Sequence, residues 1–147
     1  MSHYQESAAR SKEQLEEMKR LGAEGVCIFC PENISQDPQK VEFETSEWMV
    51  KKNRYPYEHT KLHLLLIPKA HVDILSKLSA AAQTEFFPLI KRCEEQYKLK
   101  SYAIGIRSGD MRYNGGSMEH LHVHLVVGDT DNPAHEPVRF KMTSRPN

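Results

Sequence analysis

The chain has 147 residues, 39% hydrophobic and 27% charged, with a formal net charge of zero at pH 7. That length suits one domain with its own core, and the charge balance supplies no whole-molecule field for nucleic acid or anionic lipid. No apolar run approaches the roughly 20 residues of a membrane helix, so neither a membrane nor a polynucleotide partner is expected.

The opening stretch, MSHYQESAARSKEQ, lacks the apolar core of a secretory leader. Three cysteines, two of them close together, suit a reducing compartment, and a cytoplasmic location is expected. Residues 10–21 read as a polar helix ending near Gly22. Leu15, Met18 and Leu21 give it a thin apolar stripe. Residues 1–24 then form an N-terminal helical arm, docked or solvated, ahead of a domain over 25–147. Cys27-Ile28-Phe29-Cys30 follows, then a loop marked by Pro31, Asn33, Asp37 and Pro38.

Residues 41–45 and 47–52 alternate as half-buried strands, with Trp48 assigned to the core. Residues 61–67 form a third strand, closed by Pro68. Ser79 caps a helix running to about residue 97, with Phe86, Phe87, Leu89, Ile90 and Cys93 on its buried face. Pro88 either kinks that helix or marks its true start. Residues 102–106 and 121–127 read as strands, and 137–142 as a last one. His3, His59 and His135 read as surface residues. The expected fold is α+β: a single domain, a mainly antiparallel β-sheet, one long inserted helix and an N-terminal helix.

The chemistry concentrates in Glu119-His120-Leu121-His122-Val123-His124-Leu125. In a strand, positions i, i+2 and i+4 share a face, so His120, His122 and His124 line one side and Leu121, Val123 and Leu125 the other. Imidazoles are poor core material, because each ring needs a partner for at least one nitrogen. The row fits either nucleophilic and phosphate chemistry or a metal centre with all three rings on one ion. Just upstream, Gly115-Gly116-Ser117 could cradle a phosphate through backbone N–H groups and a hydroxyl. Cys27 and Cys30 are half of a zinc site or a redox pair. The Pro31 loop after them is unlike the helix that follows a thioredoxin-type motif.

His120-Leu121-His122-Val123-His124-Leu125-Val126 matches the H-φ-H-φ-H-φ-φ signature of the histidine-triad (HIT) superfamily. The resemblance spans about residues 25–128. His63-Leu64-Leu65-Leu66-Ile67-Pro68-Lys69-Ala70-His71-Val72 is similar to that superfamily's "HLLVIPKRHV" stretch. Asn53-Arg54-Tyr55-Pro56-Tyr57 resembles the ribose-side loop of the branch that cleaves diadenosine polyphosphates, Cys27–Cys30 its cysteine pair, and Ser117 its serine.

The resemblance implies a HIT-like fold and a nucleotidyl hydrolase or transferase. His122 is then the nucleophile on an α-phosphate, through a nucleotidyl-histidine intermediate. His124, Ser117, Gly115 and Gly116 bind phosphate, His63 supports the site, and Asn53 faces the ribose. Cys27, Cys30, His71 and His120 become the ligands of a structural Zn2+. A small-molecule nucleotide substrate and a homodimer follow by the same analogy. The alternative is a nucleotide-binding sensor with little turnover.

Two departures leave the substrate open. Arg107-Ser108-Gly109 stands where the superfamily usually has Asn or Gln, a residue, then Gly, which makes Arg107 and Arg112 candidate phosphate ligands. The residues after the triad match neither the Pro-Arg-Trp continuation of the phosphorylase branch nor the Trp-Pro-Pro-Gly tail of the purine phosphoramidase branch.

Overall fold

The computed structural model describes residues 2–146. Its five strands are β1 (Val41–Glu44), β2 (Trp48–Lys52), β3 (Thr60–Pro68), β4 (Ala103–Ile106) and β5 (Val123–Gly128). They form one antiparallel sheet in the order β1-β2-β3-β5-β4. Helix α1 (Lys12–Glu24) precedes the sheet, α2 (Ala80–Gln96) joins β3 to β4, and α3 (Met111–Asn114) lies between β4 and β5. The α+β expectation holds, as one domain with a long inserted helix.

The pleat divides the core in two. Trp48, Val50, Leu64, Leu66, Val123 and Leu125 meet Ala82, Leu89, Ile90 and Cys93 of α2 on one face. Met49, Leu65 and Ile67 meet Met18 and Leu21 of α1 and the Cys27–Cys30 segment on the other. The sheet is covered on both faces, so β2 is buried continuously from Trp48 to Lys51 rather than half-buried as expected, and β3 reads as a nearly continuous apolar run. Each fully buried Leu or Met contributes about 1.5–3 kcal/mol. Lys51 also falls on the α1 side, fully buried, and ion-pairs with Asp37.

Capping sets the helix ends. Ser11 accepts from the Gln14 N–H at the start of α1, and Ser79 accepts from the Ala82 N–H at the start of α2. The stop of α1 is Gly25, at φ +68, rather than Gly22. Gly22 lies inside the helix, where a Cβ would sit 2.7 Å from Ser2 Oγ, so it serves close approach. Pro88 neither starts nor ends α2. It is exposed, so the Thr84 carbonyl it leaves unpaired faces water. Phe87 is 77% exposed, contrary to its expected place in the core.

Three further expectations need correction. β5 begins at Val123, because residues 120–122 are held by the loop after β3, where the Leu121 N–H donates to the Val72 carbonyl at 2.7 Å. Residues 137–142 form no strand. Their alternation is real, with Val138 and Phe140 half-buried and Arg139 and Lys141 exposed, but they pack by side chains against the site. His3 and His135 are half-buried rather than free on the surface. His3 Nδ1 lies 2.9 Å from Glu119 Oε1, and His135 packs against Gly128. Among the described residues, no helix is long and apolar enough to cross a membrane.

Candidate active site

The three triad histidines have three different surroundings. His120 turns toward the cysteines, His122 faces a cavity, and His124 lies on β5 beside His63 of β3. They do not converge on one point, which removes the reading of a single ion held by all three.

His122 Nδ1 lies 2.8 Å from the His120 carbonyl oxygen. A carbonyl only accepts, so Nδ1 carries the proton and Nε2 keeps its lone pair. The edge of Phe29 fixes the ring at a centroid distance of 5.2 Å. Burial pulls the His122 pKa down to about 4, so the imidazole is neutral at pH 7.

A hydrogen-bond relay fixes the tautomers of the next pair. The Tyr57 N–H donates to His63 Nδ1 at 3.1 Å. His63 must then carry its proton on Nε2, which lies 2.8 Å from His124 Nδ1. His124 Nδ1 accepts, and its Nε2–H is left to donate. Arg107 Nη1 lies 3.4 Å from that nitrogen. Two donors meeting at one place call for an anion between or beside them. Burial, followed by the charge of Arg10, pulls His63 down to about 3, and burial first also holds His124 well below its ordinary value. The relay is therefore uncharged at pH 7. The Tyr57 ring stacks on His124 at 5.3 Å, and Arg10 covers the Tyr57 ring at 4.6 Å.

A cavity of about 620 Å³ opens beside these rings. It is lined by His122, His124, Asn53, Gly115 and Ser117 among the expected residues, and by Arg107 but not Arg112. Arg112 is exposed and paired with Asp110. Among the described residues Ser117 Oγ has no hydrogen-bond partner. The glycine amides are engaged: Gly115 N–H donates to Ser144 Oγ and Gly116 N–H to Asn114 Oδ1, each at 2.9 Å. Asn53 Oδ1 accepts from the Tyr55 N–H at 3.0 Å, and its amide nitrogen lies 3.4 Å from His63 Nε2. Sequence reasoning missed Arg10, Tyr57 as a stacking residue and the tail from Arg139 onward. No local motif marks them, because each reaches the site from a distant part of the chain.

The second cluster joins Cys27, Cys30, His71 and His120, whose donor atoms all lie within 4.8 Å of one another. Cys27 Sγ is 3.5 Å from His120 Nδ1, and Cys30 Sγ is 3.2 Å from His71 Nδ1 and 3.6 Å from His120 Nδ1. A tetrahedral zinc with ordinary bond lengths needs S···N separations of about 3.6 Å, so the set fits. The far ring nitrogens are also held. His120 Nε2 is 2.7 Å from the Pro68 carbonyl, and His71 Nε2 is 2.7 Å from Glu119 Oε1. Such outer partners fix which nitrogen faces a metal. Burial, then the neighbouring Cys27, pushes the Cys30 thiol up to about 12, so a thiolate here needs a cation. All three cysteines are free of disulfides.

Comparison with known proteins gives the family and the fold. The HIT domain model matches residues 35–131, and the chain belongs to the HIT-domain family. Protein HitA of Neisseria gonorrhoeae is 30% identical over 102 residues, covering 68% of this chain and 94% of that one. Among solved structures, the histidine triad nucleotide-binding protein of Candida albicans superposes with a TM-score of 0.62 at 21% identity, covering 82% of this chain and 86% of that one. A zinc-bound histidine triad family protein from Mycobacterium smegmatis gives 0.55 at 20% identity, covering 78% and 82%.

Proposed function

We propose that the protein is a nucleotidyl hydrolase or transferase in which His122 attacks the α-phosphorus of a nucleotide. The observation that carries this reading is the His122 Nδ1 contact to the His120 carbonyl, which leaves Nε2 as the unprotonated nitrogen of a ring lining the cavity. In the first step an N–P bond forms at His122 Nε2 and the bond from phosphorus to the leaving group breaks, the leaving group taking the electron pair. His124 Nε2–H, Arg107 and Ser117 Oγ stabilise the charge developing on the phosphate oxygens. His63 acts through His124 by holding its tautomer. Water, or phosphate in a phosphorylase, then displaces His122 and frees the nucleotide. Dinucleoside polyphosphates and nucleoside phosphoramidates share this first step.

Zinc belongs to the same reading. Cys27, Cys30, His71 and His120 would hold it, and when bound it supplies charge to stabilise two buried thiolates. Its four protein ligands leave no place for substrate, so its role is to anchor the segment leading into His122. A homodimer is also part of the proposal. β4 is an edge strand, and Ile104 on it is 41% exposed, which suits pairing with a second copy. The free cysteines support a cytoplasmic location.

The test is turnover of diadenosine polyphosphates and adenosine phosphoramidate, with and without phosphate, beside His122→Ala. A nucleotidyl-protein adduct seen by mass spectrometry and lost in His122→Ala is the expected result. Equal activity in the two proteins would remove His122 as nucleophile. Nucleotide binding without turnover or adduct would favour a sensor.

A further inference from the structure

The cavity carries more positive charge than a single α-phosphate needs. Arg10, Arg107, Arg139, Lys141 and Arg145 all line it. Among the described residues none of the five forms a salt bridge. Two carboxylates share the cavity wall, and both are engaged, Glu17 with Arg54 and Asp37 with Lys51.

Three of these cations lie on the tail 138–146, beyond the residues matched by the HIT domain model. The tail is docked at several points. Ser144 Oγ accepts from the Gly115 N–H at 2.9 Å and donates to the Met111 carbonyl at 2.8 Å. The Ser144 N–H donates to the Tyr113 carbonyl at 3.0 Å, and Arg107 Nε donates to the Lys141 carbonyl at 2.8 Å. Phe140 is clamped between β4 and the site. A Cβ at Gly105 would sit 2.6 Å from its ring, Arg107 lies 4.0 Å above its centroid, and His124 is 5.6 Å away. Lys141 and its neighbours are therefore held in the wall of the cavity.

The cations act on one another. The Lys141 pKa is lowered first by burial and then by Arg107, Arg10 and Arg145, with no carboxylate offsetting them. Like charges gathered in a partly enclosed space raise the energy of the empty site, and a bound polyanion relieves it.

We propose that the tail is a specificity element. Arg139, Lys141 and Arg145, together with Arg10, form a subsite for a leaving group that carries two or more phosphate charges. This rests on the reading that His122 attacks an α-phosphate. The amine released from a phosphoramidate gives these cations nothing to bind, whereas a polyphosphate chain gives each a charge-assisted hydrogen bond.

The test compares the full chain with its Arg139→Gln/Lys141→Gln/Arg145→Gln variant on diadenosine tetraphosphate and adenosine phosphoramidate. The ratio of kcat/KM for the two substrates is expected to fall roughly 30-fold, because only one substrate loses charged hydrogen bonds. The salt dependence of the tetraphosphate reaction should also weaken in the variant. Lys141→Arg keeps the charge and should keep the ratio. An unchanged ratio, or equal losses on both substrates, would overturn the proposal.

Calorimetry with inorganic tripolyphosphate tests the subsite without turnover. Its binding should weaken roughly tenfold in the triple variant, and more than that of AMP. Equal weakening of the two would count against the subsite. If wild type turns over neither substrate, the reading of His122 fails, and the tripolyphosphate comparison still decides the subsite.

Discussion

Acidification to pH 5.5 tests whether His122, the proposed nucleophile, is a buried neutral imidazole or an ordinary one. An imidazole at its ordinary pKa of 6.5 would be only about 9% neutral at that pH, whereas one at the value of about 4 held by His122 would be about 97% neutral. The assay is kcat/KM for a dinucleoside polyphosphate at pH 7.5 and 5.5, which reports groups of the free enzyme. Activity at pH 5.5 should stay within about twofold of that at pH 7.5, with circular dichroism recorded in parallel. The same burial acts on stability. The folded pKa values of His122 and His63 are depressed, so the stability they confer is complete above about pH 6.5 and is lost as pH falls toward 4 and 3 respectively. By pH 5.5 each has lost on the order of 1 kcal/mol, which a urea midpoint at the two pH values measures. A tenfold drop in kcat/KM with an unchanged circular dichroism spectrum would refute the idea that burial keeps His122 neutral.

Three other perturbations probe the frame around the site. Asp37→Ala leaves the ammonium of Lys51 buried and unpaired, and should cost about 3–5 kcal/mol in urea unfolding. Gly115→Ala meets two obstacles, a backbone at φ +77 and a Cβ 2.9 Å from the Thr143 carbonyl oxygen. It should cost about 1–3 kcal/mol, read from the unfolding midpoint. Stripping zinc with a chelator should lower the wild-type Tm by on the order of 10 °C, while Cys27→Ala/Cys30→Ala, already without its thiolates, should show little further change.

The strands and the long helix were legible because each carries a local signature. Ser79 before an amphipathic run marks the start of α2, and the apolar run Leu64–Ile67 closed by Pro68 marks β3. The end of α1 was misplaced because Gly22 and Gly25 look alike in sequence. Only the approach of Ser2 distinguishes a packing glycine from a capping one. Likewise the period-2 pattern of 137–142 is that of a strand, but the segment packs on β4 through the Phe140 ring and, among the described residues, pairs its backbone with no strand.

At the site, the sequence by itself determined which residues could do chemistry. The alternation of His120, His122 and His124, the Cys27–Cys30 pair and His71 can be read without coordinates, because motif spacing is local. Tertiary structure decided what surrounds each. The backbone course and the sheet assign the protons: the His120 carbonyl, two residues back, sets His122, the Tyr57 amide sets His63, and His63 on the neighbouring strand sets His124. The cations of Arg10 and the tail reach the cavity only because residues more than a hundred positions apart pack around one sheet. A spacing rule cannot carry that, since a hydrogen-bond partner or a neighbouring charge is fixed by distance in space rather than along the chain.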